Sequence, residues 1–237
     1  MSAAILDRWG DRAESANSWS GHAGFGHGGG EPFDRAIRSG GGTVALVSRH
    51  RGGSARSVLD VSAFLAPATD DERRALSVTE GPLLDVGCGP GRIVRAAIDA
   101  GRLALGIDIS RAAVAHANAD GLPVLRRSVF DPLPAEGSWG AVTLFDGNVG
   151  IDGNPPALLA RCADLLGQGG RLLVETHPEH ARDHRFEAKL EHPTGGASGW
   201  FPWAEAGSAA VLSTAIELGM TARTATYGAR TFVVATR

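Results

Sequence analysis

The stretch "LLDVGCGPGRIV" (83–94) sets Gly87, Gly89 and Gly91 between a short apolar run and a run of helical character, with Asp85 two positions ahead of the first glycine. A glycine loop that leaves a buried strand and opens a helix brings backbone N–H groups and the positive end of the helix dipole to one point, which suits an anion. The pattern for nucleoside triphosphates needs a lysine and a hydroxyl after its last glycine, and here Arg92 and Ile93 follow Gly91. The dinucleotide pattern G-x-G-x-x-G is missed as well, because this loop reads G-x-G-x-G and Pro90 lacks an N–H that a pyrophosphate would use. A smaller carboxylate suits the loop better. Asp108 closes "ALGID" about 20 residues after the first glycine, the offset at which an acid can accept both ribose hydroxyls of a nucleoside.

Other polar side chains follow apolar runs further along. Asp146, Gly147 and Asn148 come after "AVTLF", and Glu175 and His177 come after "RLLV". In open α/β sheets, ligands bind at the carboxyl ends of strands. His177 has two readings, as a general base titrating near neutral pH or as a loop histidine with a solvent-facing ring. His177, His180 and His184 have the spacing of one helix face, but Pro178 interrupts its start and no partner cluster is evident, so no metal site is expected. "GWFPWAE" gathers Trp200, Phe201 and Trp203, as a core edge or as an aromatic wall for an apolar or planar small molecule. Asn148 is likewise a turn residue or a contact to that molecule. The two cysteines, Cys88 and Cys162, are too far apart for a disulfide framework and read as small buried residues.

Positioning these groups calls for an α/β frame. Short apolar runs at Leu83–Val86, Leu103–Ile107, Val124–Arg127, Ala141–Phe145 and Arg171–Thr176 alternate with helical patterns at Arg92–Ala100, Arg111–Asp120 and Pro156–Leu166. That alternation marks a parallel sheet covered on both faces. A helix over Ser208–Leu218 and two antiparallel strands, Thr221–Tyr227 and Thr231–Thr236, turning at Gly228, close the chain. Upstream, the stretches 20–32 and 38–43 are too rich in glycine for a regular element. Around them stand a short helix through Ile5, Trp9, Ala13 and Ala16, a helix Pro32–Arg38, a strand Thr43–Ser48, and helical patches at Val58–Leu65 and Asp70–Leu76. Residues 1–80 therefore read as an accessory segment or lid and 81–237 as the main domain, with Trp9, Trp19, Phe25 and Phe33 placed to cover the site.

The 237 residues leave room for one full α/β domain with embellishments. A composition with 43% hydrophobic and 21% charged residues is that of a soluble globular protein. No apolar run approaches the roughly 18 residues a membrane helix needs. The N-terminus carries acids early and lacks a secretory pattern, so a cytoplasmic location is expected. A net charge of −3 gives no basic excess for nucleic acid.

"LDVGCGPG" resembles the glycine motif D-x-G-C-G-x-G of the class I S-adenosylmethionine-dependent methyltransferases. The resemblance runs through Leu83–Glu175, with the "GQGGRLL" turn as its other specific piece. It implies a Rossmann-like three-layer sandwich whose mostly parallel seven-stranded sheet has an antiparallel last strand, preceded by the lid. It also implies S-adenosyl-L-methionine as cofactor. Asp85, Gly87, Cys88, Gly89 and Gly91 would lie against the methionine part, Asp85 toward the ammonium and the loop amides toward the carboxylate. Asp108 and Ile109 would meet the ribose. In "RRSVFDPLP", Ser128 or Val129 takes the place of the usual adenine-binding acid, Asp131 falls slightly late, and Val129 and Phe130 face the base. Asp146 and Gly147 complete the cofactor set, and Asn148 borders the methyl group. The activity implied is in-line methyl transfer to a small molecule, with no covalent enzyme nucleophile. The N-P-P-[YF] sequence of similar enzymes that act on adenine or glutamine amides is absent. Two alternatives stand beside it: a catalytically silent protein that binds the S-adenosyl cofactor and regulates, and an NAD(P)-dependent oxidoreductase. Neither the acceptor nor an oligomeric state is written in the sequence.

Overall fold

The computed structural model describes residues 32–50 and 53–237. The expected helix near Ile5–Ala16, the glycine-rich stretch up to residue 31, and Trp9, Trp19 and Phe25 lie outside the described residues. In chain order the elements are α1 (Pro32–Arg38), β1 (Thr43–His50), β2 (Gly53–Asp60), α2 (Val61–Leu65), α3 (Asp70–Leu76), β3 (Leu83–Val86), α4 (Arg92–Asp99), β4 (Ala104–Asp108), α5 (Arg111–Ala119) and β5 (Val124–Arg126). There follow β6 (Trp139–Leu144), a 3-10 helix (Asn148–Gly153), α6 (Pro155–Leu165), β7 (Leu166–Thr176), β8 (Asp183–Glu191), β9 (Phe201–Ala206), α7 (Ser208–Glu217), β10 (Thr221–Tyr227) and β11 (Arg230–Thr236).

Seven strands form the main sheet in the order β10-β11-β7-β6-β3-β4-β5. Strands β3 to β7 run parallel, while β11 pairs antiparallel with both β7 and β10. This is the expected sheet, and its logic is local. Every residue of β3 and β4 is buried, as strands covered on both faces require. One face packs Leu84, Val86, Val142, Leu144 and Val174 against α6 and α7, and the other packs Leu83 and Phe232 with Ile93 and Val94 of α4. Ser110 caps α5 by accepting a hydrogen bond from the Ala113 N–H, and α6 starts with prolines at its first positions.

A second sheet, β2-β1-β8-β9, is fully antiparallel and corrects the sequence reading in three places. The patch expected to be helical from Val58 begins as strand β2, and only Val61–Leu65 is helical. The segment 183–191, given no element beyond His184 in the histidine stretch, and the segment 201–206, read as part of an aromatic cluster, are strands β8 and β9. This sheet draws two strands from each side of residue 80, so the accessory layer is not confined to the first 80 residues. Its core joins Phe33 and Ile37 of α1 with Val44, Phe186, Leu190 and Phe201, and seats them on Ala112 and Ala113 of α5. The layer thus sits on the helix that follows Asp108.

Candidate active site

A cavity of about 480 Å³ opens between the carboxyl ends of the main strands and the second sheet. Its floor is the glycine loop, Gly87 to Pro90, with Asp108 and Ile109 beside it. Three glycines there have positive φ, at 69° for Gly87, 53° for Gly89 and 92° for Gly91, the left-handed region that glycine enters without strain. A Cβ on Gly87 would stand 2.6 Å from the Asn148 amide nitrogen, and one on Gly91 would stand 2.8 Å from Leu122. At Gly89 no described residue beyond its chain neighbours lies within 4 Å of that position, so this glycine borders open space on the cavity side. Cys88 is buried against Gly106 of β4, where only a small residue fits, and burial pushes its thiol well above the ordinary range. It is a packing residue.

The Asp108 carboxylate is fixed by two backbone donors. Gly89 N–H reaches Oδ2 at 2.8 Å and Ser110 N–H reaches Oδ1 at 2.7 Å. Burial raises its pKa, with those two N–H groups pulling the other way. A carboxylate has about four acceptor sites, so two bonds leave room for a pair of hydroxyls. The Ser110 hydroxyl in turn donates to Asp34 of α1 at 2.5 Å, which ties the accessory layer to this acid.

Asp85 does not line the cavity. It lies beneath the loop, 2% exposed, and accepts a 2.7 Å hydrogen bond from the Thr143 hydroxyl of β6. Burial pushes its pKa up to about 7, against the opposing pull of Thr143 and Arg92. Ser128, Val129 and Phe130 line the wall, together with Asp131, whose carboxylate turns back to accept the Ser128 N–H at 3.0 Å. The acid that falls late in sequence therefore returns to this wall. Arg161 holds the turn by donating to the carbonyls of Val129 and Asp131, each at 2.9 Å.

Asp146 and Gly147 follow β6 in the left-handed region, with φ 55° and 79°. Asp146 lines the cavity and Gly147 does not. The Asn148 amide donates to the carbonyls of Val86 and Gly87 at 3.1 and 2.9 Å, latching this loop to the glycine loop. Behind Asp146 lies an ionic cluster that the sequence reading missed. Arg92 spans Glu72 at 2.5 Å and Asp146 at 2.7 Å, while Arg230 reaches Glu72, Asp146 and Glu175. Burial opposes the charge on Glu72, yet Arg92, the Thr69 N–H and Arg230 outweigh it and hold its pKa down at about 2. Burial pushes the Asp146 pKa up despite Arg92, with Glu175 adding to the rise. The residues come from α3, α4, β7 and β11, and no local pattern in the sequence joins them.

The remaining wall is apolar. Phe33, Leu46, Leu59 and Phe64 come from the accessory segment, and Phe201, Pro202 and Trp203 from β9. Trp200 is not part of it; its ring lies between Arg49 at 4.2 Å and Lys189 at 5.1 Å. His177 is also outside the lining residues, and its Nδ1 accepts the Glu179 N–H at 3.1 Å. His180 contacts the Ser208 hydroxyl at 2.6 Å, and His184 of β8 stacks on Phe186. The three histidines are thus spread over a turn and a strand. Among the described residues no group of three His, Cys, Asp or Glu is arranged to hold a metal, and no helix is long and apolar enough to cross a membrane.

A family model described as "Methyltransferase domain" matches residues 55–206, well over half of the chain. Among solved structures, an S-adenosylmethionine-dependent methyltransferase from Bacteroides fragilis, in complex with S-adenosyl-L-homocysteine, has a TM-score of 0.72 and 19% identity, covering 87% of this chain and 94% of its own. The glycopeptide N-methyltransferase MtfA, complexed with S-adenosyl-L-methionine, has a TM-score of 0.55 and 16% identity over 73% of this chain and 95% of its own. The sugar N-methyltransferase KedS8 from Streptoalloteichus has a TM-score of 0.51 and 22% identity over 73% and 87%. At such identities the likeness is one of fold. No curated protein matches the chain in sequence.

Proposed function

Because this chain belongs to the methyltransferase-domain family, we propose that it binds S-adenosyl-L-methionine in the cavity and transfers the methyl group to a small molecule held against the apolar wall. The observation that carries the reading is the pairing of Gly89 with Asp108. One leaves open space above the loop, and the other presents a carboxylate already oriented by two backbone N–H groups. The cofactor, when bound, supplies an electrophilic methyl group on a sulfonium.

The chain's own residues do the rest. Asp108 accepts the ribose hydroxyls, the glycine loop gives the methionine end its close approach, and Asp85 lies below it as a buried counter-charge for an ammonium. The turn 128–131, clamped by Arg161, faces the base. The accessory layer serves as the cover, with Phe33, Leu46, Leu59 and Phe64 shielding the reacting atoms from water. In-line displacement needs alignment above all, and holding donor and acceptor between the two walls of the cavity is what serves it. The small-molecule acceptor is supported by the enclosed apolar wall and by solved structures of similar fold whose names specify a sugar and a glycopeptide.

Calorimetric titration with S-adenosylmethionine, S-adenosylhomocysteine and NAD is the test. Binding of the two S-adenosyl compounds without NAD supports the reading, and the opposite pattern overturns it. Incubation with a metabolite extract and S-adenosylmethionine should then yield a product heavier by one CH2 unit.

A further inference from the structure

Four carboxylates and two guanidinium groups line the cavity: Asp108, Asp131, Asp146 and Asp152, with Arg92 and Arg127. Three of the acids are committed. Asp108 takes the Gly89 and Ser110 N–H groups, Asp131 takes the Ser128 N–H, and Asp146 takes Arg92 and Arg230. Arg92 is correspondingly neutralised by Glu72 and Asp146. Asp152 is exposed and has no hydrogen bond or ion pair among the described residues.

Its position is built rather than incidental. Asp152 sits at the kink of the 3-10 helix with φ 63° and ψ 10°, a left-handed conformation in a residue other than glycine. It is flanked by glycines that let the segment press against β9. A Cβ on Gly150 would run into the Ala204 carbonyl and the Trp203 ring, and one on Gly153 would stand 3.0 Å from Pro202. The segment that starts at Asn148, latched to the glycine loop, thus ends at the aromatic strand of the acceptor wall. Strained backbone held by its surroundings in a cavity wall points to function.

Resting on the methyltransferase reading above, we propose that Asp152 recognises a positively charged amino group on the acceptor, which makes the acceptor class an amine on an apolar body the size of an aromatic ring system. Phe64, Phe201 and Trp203 meet the body, and Asp152 pairs with the head group. An ammonium is the partner that an uncommitted carboxylate beside an apolar wall selects, because a neutral hydroxyl returns less and a carboxylate is repelled.

The test uses the full chain saturated with S-adenosylhomocysteine and three indole probes of matched shape: tryptamine, tryptophol and indole-3-propionate. Calorimetry should show tryptamine binding about tenfold or more tighter than tryptophol, with the carboxylate weakest. Asp152→Asn keeps a side chain that tolerates the left-handed backbone and removes only the charge. It should bring tryptamine and tryptophol to equal affinity while S-adenosylhomocysteine affinity stays unchanged. If no probe binds, if tryptamine shows no preference, or if the preference survives in Asp152→Asn, the assignment of Asp152 is wrong. Failure of S-adenosylhomocysteine to bind at the outset is a separate result and removes the methyltransferase reading together with this one.

Discussion

Two aspartates of the cofactor side differ in what surrounds them, and the difference is measurable. Asp108 is held by backbone N–H groups on the cavity wall, so Asp108→Ala removes the acceptor we propose for the ribose hydroxyls. Affinity for S-adenosylhomocysteine should drop by at least about tenfold by calorimetry, as expected for hydrogen bonds to a charged group. Asp85 has a single side-chain donor, Thr143, and its pKa rises from 3.8 to about 7 through burial. Below pH 4 it is protonated both folded and unfolded and costs nothing. As pH rises toward 7 the unfolded chain ionises it while the folded chain resists, so its contribution to stability falls over that window and is level above it. A cationic amino group nearby favours the ionised form. Affinity for S-adenosylhomocysteine should therefore climb about tenfold from pH 6 to pH 8, and Asp85→Asn should flatten that climb.

At the scale of elements, the ionic cluster fastens α3, α4, β7 and β11 around the end of β6. Glu72 is its hub, 1% exposed and shared by Arg92 and Arg230. Its depressed pKa means that its contribution is complete above pH 4.5 and disappears as pH falls toward 2. Glu72→Gln should cost about 3 kcal/mol in denaturant unfolding, the usual range for removing one partner of a buried pair. The variant should also lose the part of acid sensitivity that falls in that window. None of this was legible in the sequence, because a lone glutamate in "TDDER" reads as an exposed helix charge until the strand that carries Arg230 is placed beside it. The main sheet was legible, since "LLDV" and "ALGID" are short, continuous and apolar and their loops carry the glycines. Strand β8 did alternate, with Phe186, Ala188 and Leu190 buried, but the histidines before it drew the reading elsewhere. Pro202 disguised β9. It is tolerated because β9 is an edge strand, where a missing N–H breaks no ladder on the open side. Strand β2 is exposed along nearly its whole length and carries no apolar alternation to find. Of the expected site residues, the glycine loop, Asp108 and the 128–130 turn meet at one cavity, whereas His177 and Trp200 do not. Their placement depends on the second sheet, which the sequence periodicity did not reveal.

Across the whole molecule, the cavity has two walls of separate origin: the strand ends of the main sheet and the antiparallel sheet above them. Trp203 belongs only to the second. Trp203→Ala should raise the acceptor KM severalfold with little change in S-adenosylhomocysteine Kd, because it removes apolar contact on one side alone. A matched change in both would mean the walls act as one. The second sheet also imposes an order on assembly. Its central pairing joins β1, finished at residue 50, to β8, which begins at residue 183. During synthesis β1 and β2 must wait for more than half of the chain to emerge, and closing so long a loop is slow relative to local pairing. The wall proposed for the acceptor thus hangs on a pairing that spans more than half of the chain, whereas the glycine loop proposed for the cofactor joins β3 to α4, neighbours in sequence.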